Sequence, residues 1–147
     1  MVERLPTMNE AEVAPDDCRK APTWLSYYLV GWPPPGPSSF EWGNGALRVL
    51  HDGGYLSFVP NGDDWAAFWK ACDEVDVWSW PAEVGDLAVC DGGVFKLELE
   101  LDSRAVVSRG QLAGSPPEFA SALMTLHQAL QALVGWDGSD NASGGPR

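Results

Sequence analysis

Phe95, Leu97, Leu99 and Leu101 alternate with Lys96, Glu98 and Glu100. This is the two-residue period of a strand with one apolar and one charged face. Turn pairs flank it, Asp91-Gly92 before and Asp102-Ser103 after. Leu87–Arg109 therefore predicts a three-strand meander covered on one side only. If Asp102-Ser103 is a two-residue turn, Val107 faces Glu98 and Ala105 faces Glu100. A second hairpin is predicted over Ala46–Pro60, closed by Asp52-Gly53. It sets Leu50 against Tyr55, Val49 against Leu56, Arg48 against Ser57 and Leu47 against Phe58. Leu47, Val49, Leu56 and Phe58 then share one face, and Arg48, Leu50, Tyr55 and Ser57 the other. Trp24–Gly31 is apolar almost throughout, which predicts a first strand that is central or covered on both faces.

Two stretches carry the helical period instead. Trp65, Phe68, Trp69 and Cys72 recur at i, i+3, i+4 and i+7, so Asn61–Val75 reads as a helix, with Asn61 and Asp64 forming a capping box. Phe119, Leu123, Leu126, Leu130 and Leu133 line one face of a second helix, Ser115–Val134. There Ser115 is the expected N-cap, Pro116 the first helical residue and Glu118 the capping-box partner. Gly135 stops that helix, and Trp136 can fold back on its last turn. Between the helices, Val77, Trp78 and Trp80 read as a short edge segment.

The resulting order is β-ββ-α-βββ-α. Both helices must bury an apolar stripe, and the sheet has one apolar face to offer. The sequence predicts an α+β two-layer sandwich: one antiparallel sheet of five or six strands with two helices packed on one face. Residues 23–136 form the single domain. Residues 1–22, polar and interrupted by Pro6, Pro15 and Pro22, read as a disordered or loosely held arm, and residues 137–147 as a flexible tail. Trp32–Ser39 holds three successive prolines and reads as a stiff loop; its formal PxxP spacing carries no partner. Val49–Leu56 and Ala88–Phe95 share a strand–Asp-Gly-Gly–strand pattern, which common turn chemistry explains as well as a duplication does.

Charge sharpens this picture. The chain of 147 residues carries a formal net charge of −12. By segment the balance is −2 for residues 1–22, −9 for residues 23–136 and −1 for the tail, so the excess belongs to the folded part. A field of this sign repels nucleic acid and anionic membrane and attracts a basic protein partner. No apolar stretch reaches the ~20 residues of a membrane helix, and MVERLPTMNE has no apolar run of the kind a signal peptide needs. Cys18, Cys72 and Cys90 are odd in number and widely spaced, which argues against a disulfide framework or zinc site and for a reducing cytoplasm.

The candidate chemistry is sparse. Asp73, Glu74 and Asp76 cluster but miss the spacing of a calcium loop. His51 and His127 have no nucleophile beside them in an elbow setting. Glu98 and Glu100 share a strand face, where paired carboxylates are solvated rather than catalytic. No phosphate-binding glycine loop occurs. The reading is of no enzyme, no cofactor and no metal.

Trp65, Phe68, Trp69, Val77, Trp78, Trp80, Asp91-Gly92, Ser108-x-Gly110, Pro117 and Phe119 together resemble a pattern in small bacterial proteins of unknown function. The resemblance covers about residues 61–134. It departs where a tyrosine is due after Trp80, since Pro81–Asp86 has none. It implies core and turn positions, and no activity.

The function expected is a non-enzymatic acidic protein-binding module, in its sharpest form an immunity or antitoxin-like inhibitor of a basic partner. The alternatives are a DNA-mimic inhibitor of a nucleic-acid enzyme, and a small-ligand binder or enzyme with a tryptophan-lined pocket. The expected partner-binding residues are Arg48, Tyr55, Glu98, Glu100 and Val107 on the uncovered sheet face, with the acidic corner Asp73, Glu74 and Asp76 as the other candidate.

Overall fold

The computed structural model describes residues 19–31, 36–51, 53–85, 93–112 and 114–136. Four strands come first: β1 (Trp24–Val30), β2 (Ser39–Gly43), β3 (Ala46–His51) and β4 (Gly54–Phe58). Helix α1 (Gly62–Glu74) and a two-residue β5 (Glu83–Val84) follow, then β6 (Val94–Leu101), β7 (Arg104–Gln111) and helix α2 (Pro117–Leu133). The strands form one seven-stranded sheet in the order β4-β3-β2-β1-β6-β7-β5. All neighbours are antiparallel except β5 and β7, which run parallel.

The α+β class is as the sequence predicts, but the sheet is wider than five or six strands. The expected strand at Leu87–Cys90, its Asp91-Gly92 turn and the second copy of the Asp-Gly-Gly pattern lie outside the described residues. So do residues 1–18 of the arm, the tail, Trp32–Pro35 of the proline-rich loop and the side chain of His51. The added strands are β2 and β5. In β2, Phe40 and Trp42 alternate with Glu41, and Asn44-Gly45 closes a tight hairpin to β3 with φ of 54° and 77°. The β3–β4 register is the predicted one, Leu47↔Phe58 through Leu50↔Tyr55. The β6–β7 register likewise pairs Glu98 with Val107 and Glu100 with Ala105.

Short β5 is held by two residues of β7. Ser108 Oγ donates to the Pro81 carbonyl at 2.6 Å, and the Arg109 amide donates to the Ala82 carbonyl at 3.0 Å. Gly110 lets the two backbones close: a Cβ there would lie 2.0 Å from the Val84 carbonyl oxygen. The Ser-x-Gly spacing is thus a docking device for the segment that returns from α1.

Both helices lie against the same sheet face. Trp65 of α1 meets Trp42 edge to face at 5.4 Å. Phe119 of α2 meets Phe95, and His127 of α2 meets Tyr27. By register, Trp42, Tyr27 and Phe95 belong to one face. Under the helices lie the fully buried Leu25, Leu29, Leu47, Val49, Leu97 and Leu99.

The first capping box forms as predicted, with the Asp64 amide donating to Asn61 Oδ1 and the Asn61 amide to Asp64 Oδ2. The second does not. Pro116, not Ser115, is the N-cap of α2, and it has no side chain to cap with. Ser115 Oγ turns back instead and donates to the Leu112 carbonyl at 2.8 Å. The expected edge segment at Val77–Trp80 is a turn of 3-10 helix, Val77–Ser79. Asp76 starts it at φ 52° and accepts from Ser79 Oγ at 2.8 Å, while Trp80 Nε1 donates to the Val75 carbonyl. Chain reversal directly after α1 leaves no room for a strand there.

One polar cluster sits inside the core. Gln131 Nε2 donates to the Pro37 carbonyl at 3.0 Å and also reaches His127 Nε2 at 3.2 Å. That nitrogen must therefore accept, which places the imidazole proton on Nδ1, where it donates to Tyr27 Oη at 2.8 Å. The cluster ties the end of the proline-rich loop, the centre of the sheet and α2 together. Burial pushes the His127 imidazole down to about 4. Between its ordinary value near 6.5 and 4 the unfolded chain binds a proton that the folded chain refuses. Stability therefore falls as pH falls through that window. Acidification from about pH 7 to about pH 5 should remove about 2 kcal/mol through this one group. Urea melts of wild type and His127→Gln check this, the variant showing the shallower slope. Equal slopes would contradict the assignment.

Candidate functional site

The helices cover one face of the sheet, and its other face carries a ladder of rows. By register one row runs Tyr55, Leu50, Ser39, Tyr28, Lys96, Arg109, Glu83 across all seven strands. The next runs Ser57, Arg48, Glu41, Ser26, Glu98, Val107. On either side lie Trp24 with Glu100 and Ala105, and Val30 with Val94 and Gln111. From β4 to β7 the face spans about 24 Å, and from Val30 to Trp24 about 20 Å, by ordinary strand spacings. That is a plane suited to a modest protein contact rather than a cleft for chemistry.

Its composition is unusual for a solvated face. Among the described residues eight large apolar or aromatic side chains are exposed, and six of them stand here: Trp24, Tyr28, Val30, Leu50, Tyr55 and Val107. Tyr55 and Val107 are 65% and 54% exposed, at opposite flanks. Strand β1 explains the pattern. It is central, as predicted, but among the described residues it is covered on one face only, so its near-continuous apolar sequence leaves Trp24, Tyr28 and Val30 on the uncovered side.

Charges are interleaved and nearly balanced. Arg48 pairs with Glu41 at 2.6 Å, Lys96 with Glu98 at 3.1 Å and Arg109 with Glu83 at 3.4 Å. Trp24 Nε1 donates to Glu98 Oε1 at 3.1 Å. The hydrogen bonds from Trp24 and then Lys96 hold the Glu98 carboxyl below the usual range, so it stays ionised. Arg48 also lies 5.1 Å over the Tyr55 ring and steadies it. Two shallow depressions indent the face. One, of about 250 Å³, is lined by Trp24, Glu41, Asn44 and Arg48, at the Gly43 end of β2. The other, of about 300 Å³, is lined by Tyr28, Val94, Arg109 and Gln111.

The predicted site residues fall into two groups that the fold keeps apart. Arg48, Tyr55, Glu98, Glu100 and Val107 all lie on the uncovered face. Asp73, Glu74 and Asp76 lie at the end of α1, in the helix layer on the other side of the sheet, and Asp76 is occupied in the chain reversal. The sequence reading did not single out Trp24, Tyr28 and Val30, which it placed on a strand either central or covered on both faces, nor Glu41, on a strand it did not place. The Asn44-Gly45 turn pair was the signal that locates β2.

The tryptophans of α1 do not line an open pocket. Trp65 and Trp69 are buried, stacked at 6.4 Å, and Trp69 stacks in turn on Trp78. Burial pushes the Cys72 thiol up, so it packs as an apolar residue. Among the described residues no group of His, Cys, Asp or Glu side chains is placed to hold a metal ion. No helix among them is long and apolar enough to cross a membrane. The chain matches no protein-family model and no curated protein sequence.

Proposed function

We propose that this protein is a non-enzymatic binding module that takes up a protein partner on the uncovered face of its sheet. The exposed aromatic and apolar side chains gathered on that face carry the reading. Exposed Trp, Tyr, Leu and Val interleaved with paired Arg, Lys and Glu make a composition that a protein contact can use. The described residues of this face hold four carboxylates against three basic groups, while the whole chain carries −12; the excess supplies long-range steering, so the partner is basic overall while the contact itself is apolar and charge-paired. An inhibitor of the immunity or antitoxin kind, acting in a reducing cytoplasm, is the sharpest form of this reading. The DNA-mimic alternative has less support, because three of the face's four carboxylates, Glu41, Glu83 and Glu98, are committed to basic neighbours. The tryptophan-pocket alternative has less support because those rings fill the core.

Capture from a cell lysate tests the reading. A partner held at low salt should be lost when Tyr28→Glu and Val107→Glu are combined, with the fold intact by circular dichroism. Glu98→Lys with Glu100→Lys should slow its association and weaken its salt dependence. A partner that tolerates both double variants but is lost with Asp73→Lys and Glu74→Lys would move the site to the α1 corner.

A further inference from the structure

Among the described residues, strand β4 ends the sheet, with β3 as its only neighbour. Natural edge strands are guarded by charge, proline or a bulge. This one is short, five residues between Asp52 and Pro60, but Gly54–Val59 itself contains no charged residue and no proline, in a chain of net charge −12. Tyr55, Leu56 and Val59 are 65%, 51% and 76% exposed. Leu56 is on the helix side of the sheet, opposite Val49, yet the helices do not reach out to cover it. In a hairpin closed at His51↔Gly54 by two residues, the closing pair exchanges backbone bonds, and so do Val49↔Leu56 and Leu47↔Phe58. The amide and carbonyl of Tyr55 and Ser57 therefore point away from β3, into solvent.

We infer that β4 pairs antiparallel with β4 of a second copy of this chain, joining two sheets into one about a two-fold axis at Leu56. The strand is self-complementary in that register. Tyr55 meets Ser57 of the other copy and the two exchange both backbone bonds. The two Leu56 side chains meet each other on the helix side. Phe58 falls opposite Gly54, where no atom stands within 4 Å of a Cβ position. Within the paired strands the register places no like charges opposite each other. A basic partner, by contrast, gains nothing from a charge-free edge. The area of one short strand pair makes the dimer weak. The pairing does not depend on the proposed function, and it leaves the uncovered face of each copy open.

Sedimentation of the full chain over a dilution series into the high-micromolar range tests this. The mass should rise from 15.9 kDa towards twice that value, more readily as added salt screens the repulsion. Leu56→Lys, which sets like charges across the axis, should weaken association about tenfold or more. Ser57→Pro, which removes an outward amide and no bond to β3, should do the same, with unchanged circular dichroism for both. Tyr28→Glu should leave the dimer as it is. A mass that stays at the monomer value overturns the inference. So does a dimer that survives both edge variants, or an edge that takes up an extended peptide from another protein while the chain alone stays monomeric.

Discussion

Trp65→Ala should remove about 4 kcal/mol of folding stability, the middle of the range for deleting a buried aromatic side chain. Trp65 is 2% exposed and is the hinge of an aromatic cluster. It meets Trp42 of the sheet edge to face, Phe68 at 5.7 Å, and Trp69 in a stack. The substitution thus removes the main ring contact between α1 and β2, together with the area the indole buries. The aromatic neighbours are themselves held: Trp69 Nε1 donates to the Lys20 carbonyl at 2.8 Å and cannot slide into the gap without losing that bond. A domain of this size has about 5–15 kcal/mol in all, so the variant should sit near the edge of folding. Urea denaturation measures the loss, and a cost below about 1 kcal/mol would mean that Trp65 is not the packing centre.

Gly110→Ala should cost about 3 kcal/mol, out of proportion to one methyl group. The added Cβ would meet the Val84 carbonyl oxygen at 2.0 Å, its carbon at 2.8 Å and the Val84 nitrogen at 2.9 Å. All three are backbone atoms, which have no rotamer to change. Gly110 cannot retreat either, since it is paired with Phe95 on the other side. The expected result is detachment of β5 from the sheet. Amide exchange at Arg109, whose N–H donates to the Ala82 carbonyl, should accelerate well beyond the global change. A variant of wild-type stability, with Arg109 still protected, would contradict the close approach.

These two residues also mark where the sequence was informative and where it was not. Trp65 was legible because its stripe repeats over two turns of helix, and the hairpin register was legible because a two-residue turn admits one pairing of the apolar faces. Strand β5 was not legible. Two residues carry no period, and their place is fixed by a parallel contact with β7, far along the chain. Ser115 has the residue type and spacing of an N-cap, yet the first helical bonds go to the Pro116 carbonyl, and the Ser115 hydroxyl, one residue too early, donates back to the Leu112 carbonyl. The site failed in an instructive way. Trp24, Tyr28 and Val30 were read as part of an apolar strand that is either central or covered on both faces; it is central, and which of the two applied stayed open because hydrophobicity along a strand does not say which layers exist to cover it. That mismatch, between a near-continuously apolar strand and described layers that cover one face, is the observation behind the proposed binding surface.

Hydroxyl-radical footprinting of the captured complex tests that claim most directly. Oxidation of Trp24, Tyr28 and Tyr55 should fall when the partner binds, while Met124 and Trp78, half-buried in the helix layer, keep their free-state rates. Unchanged oxidation of those three aromatics, with protection appearing at Met124 or Trp78 instead, would place the partner on the helices and contradict the account.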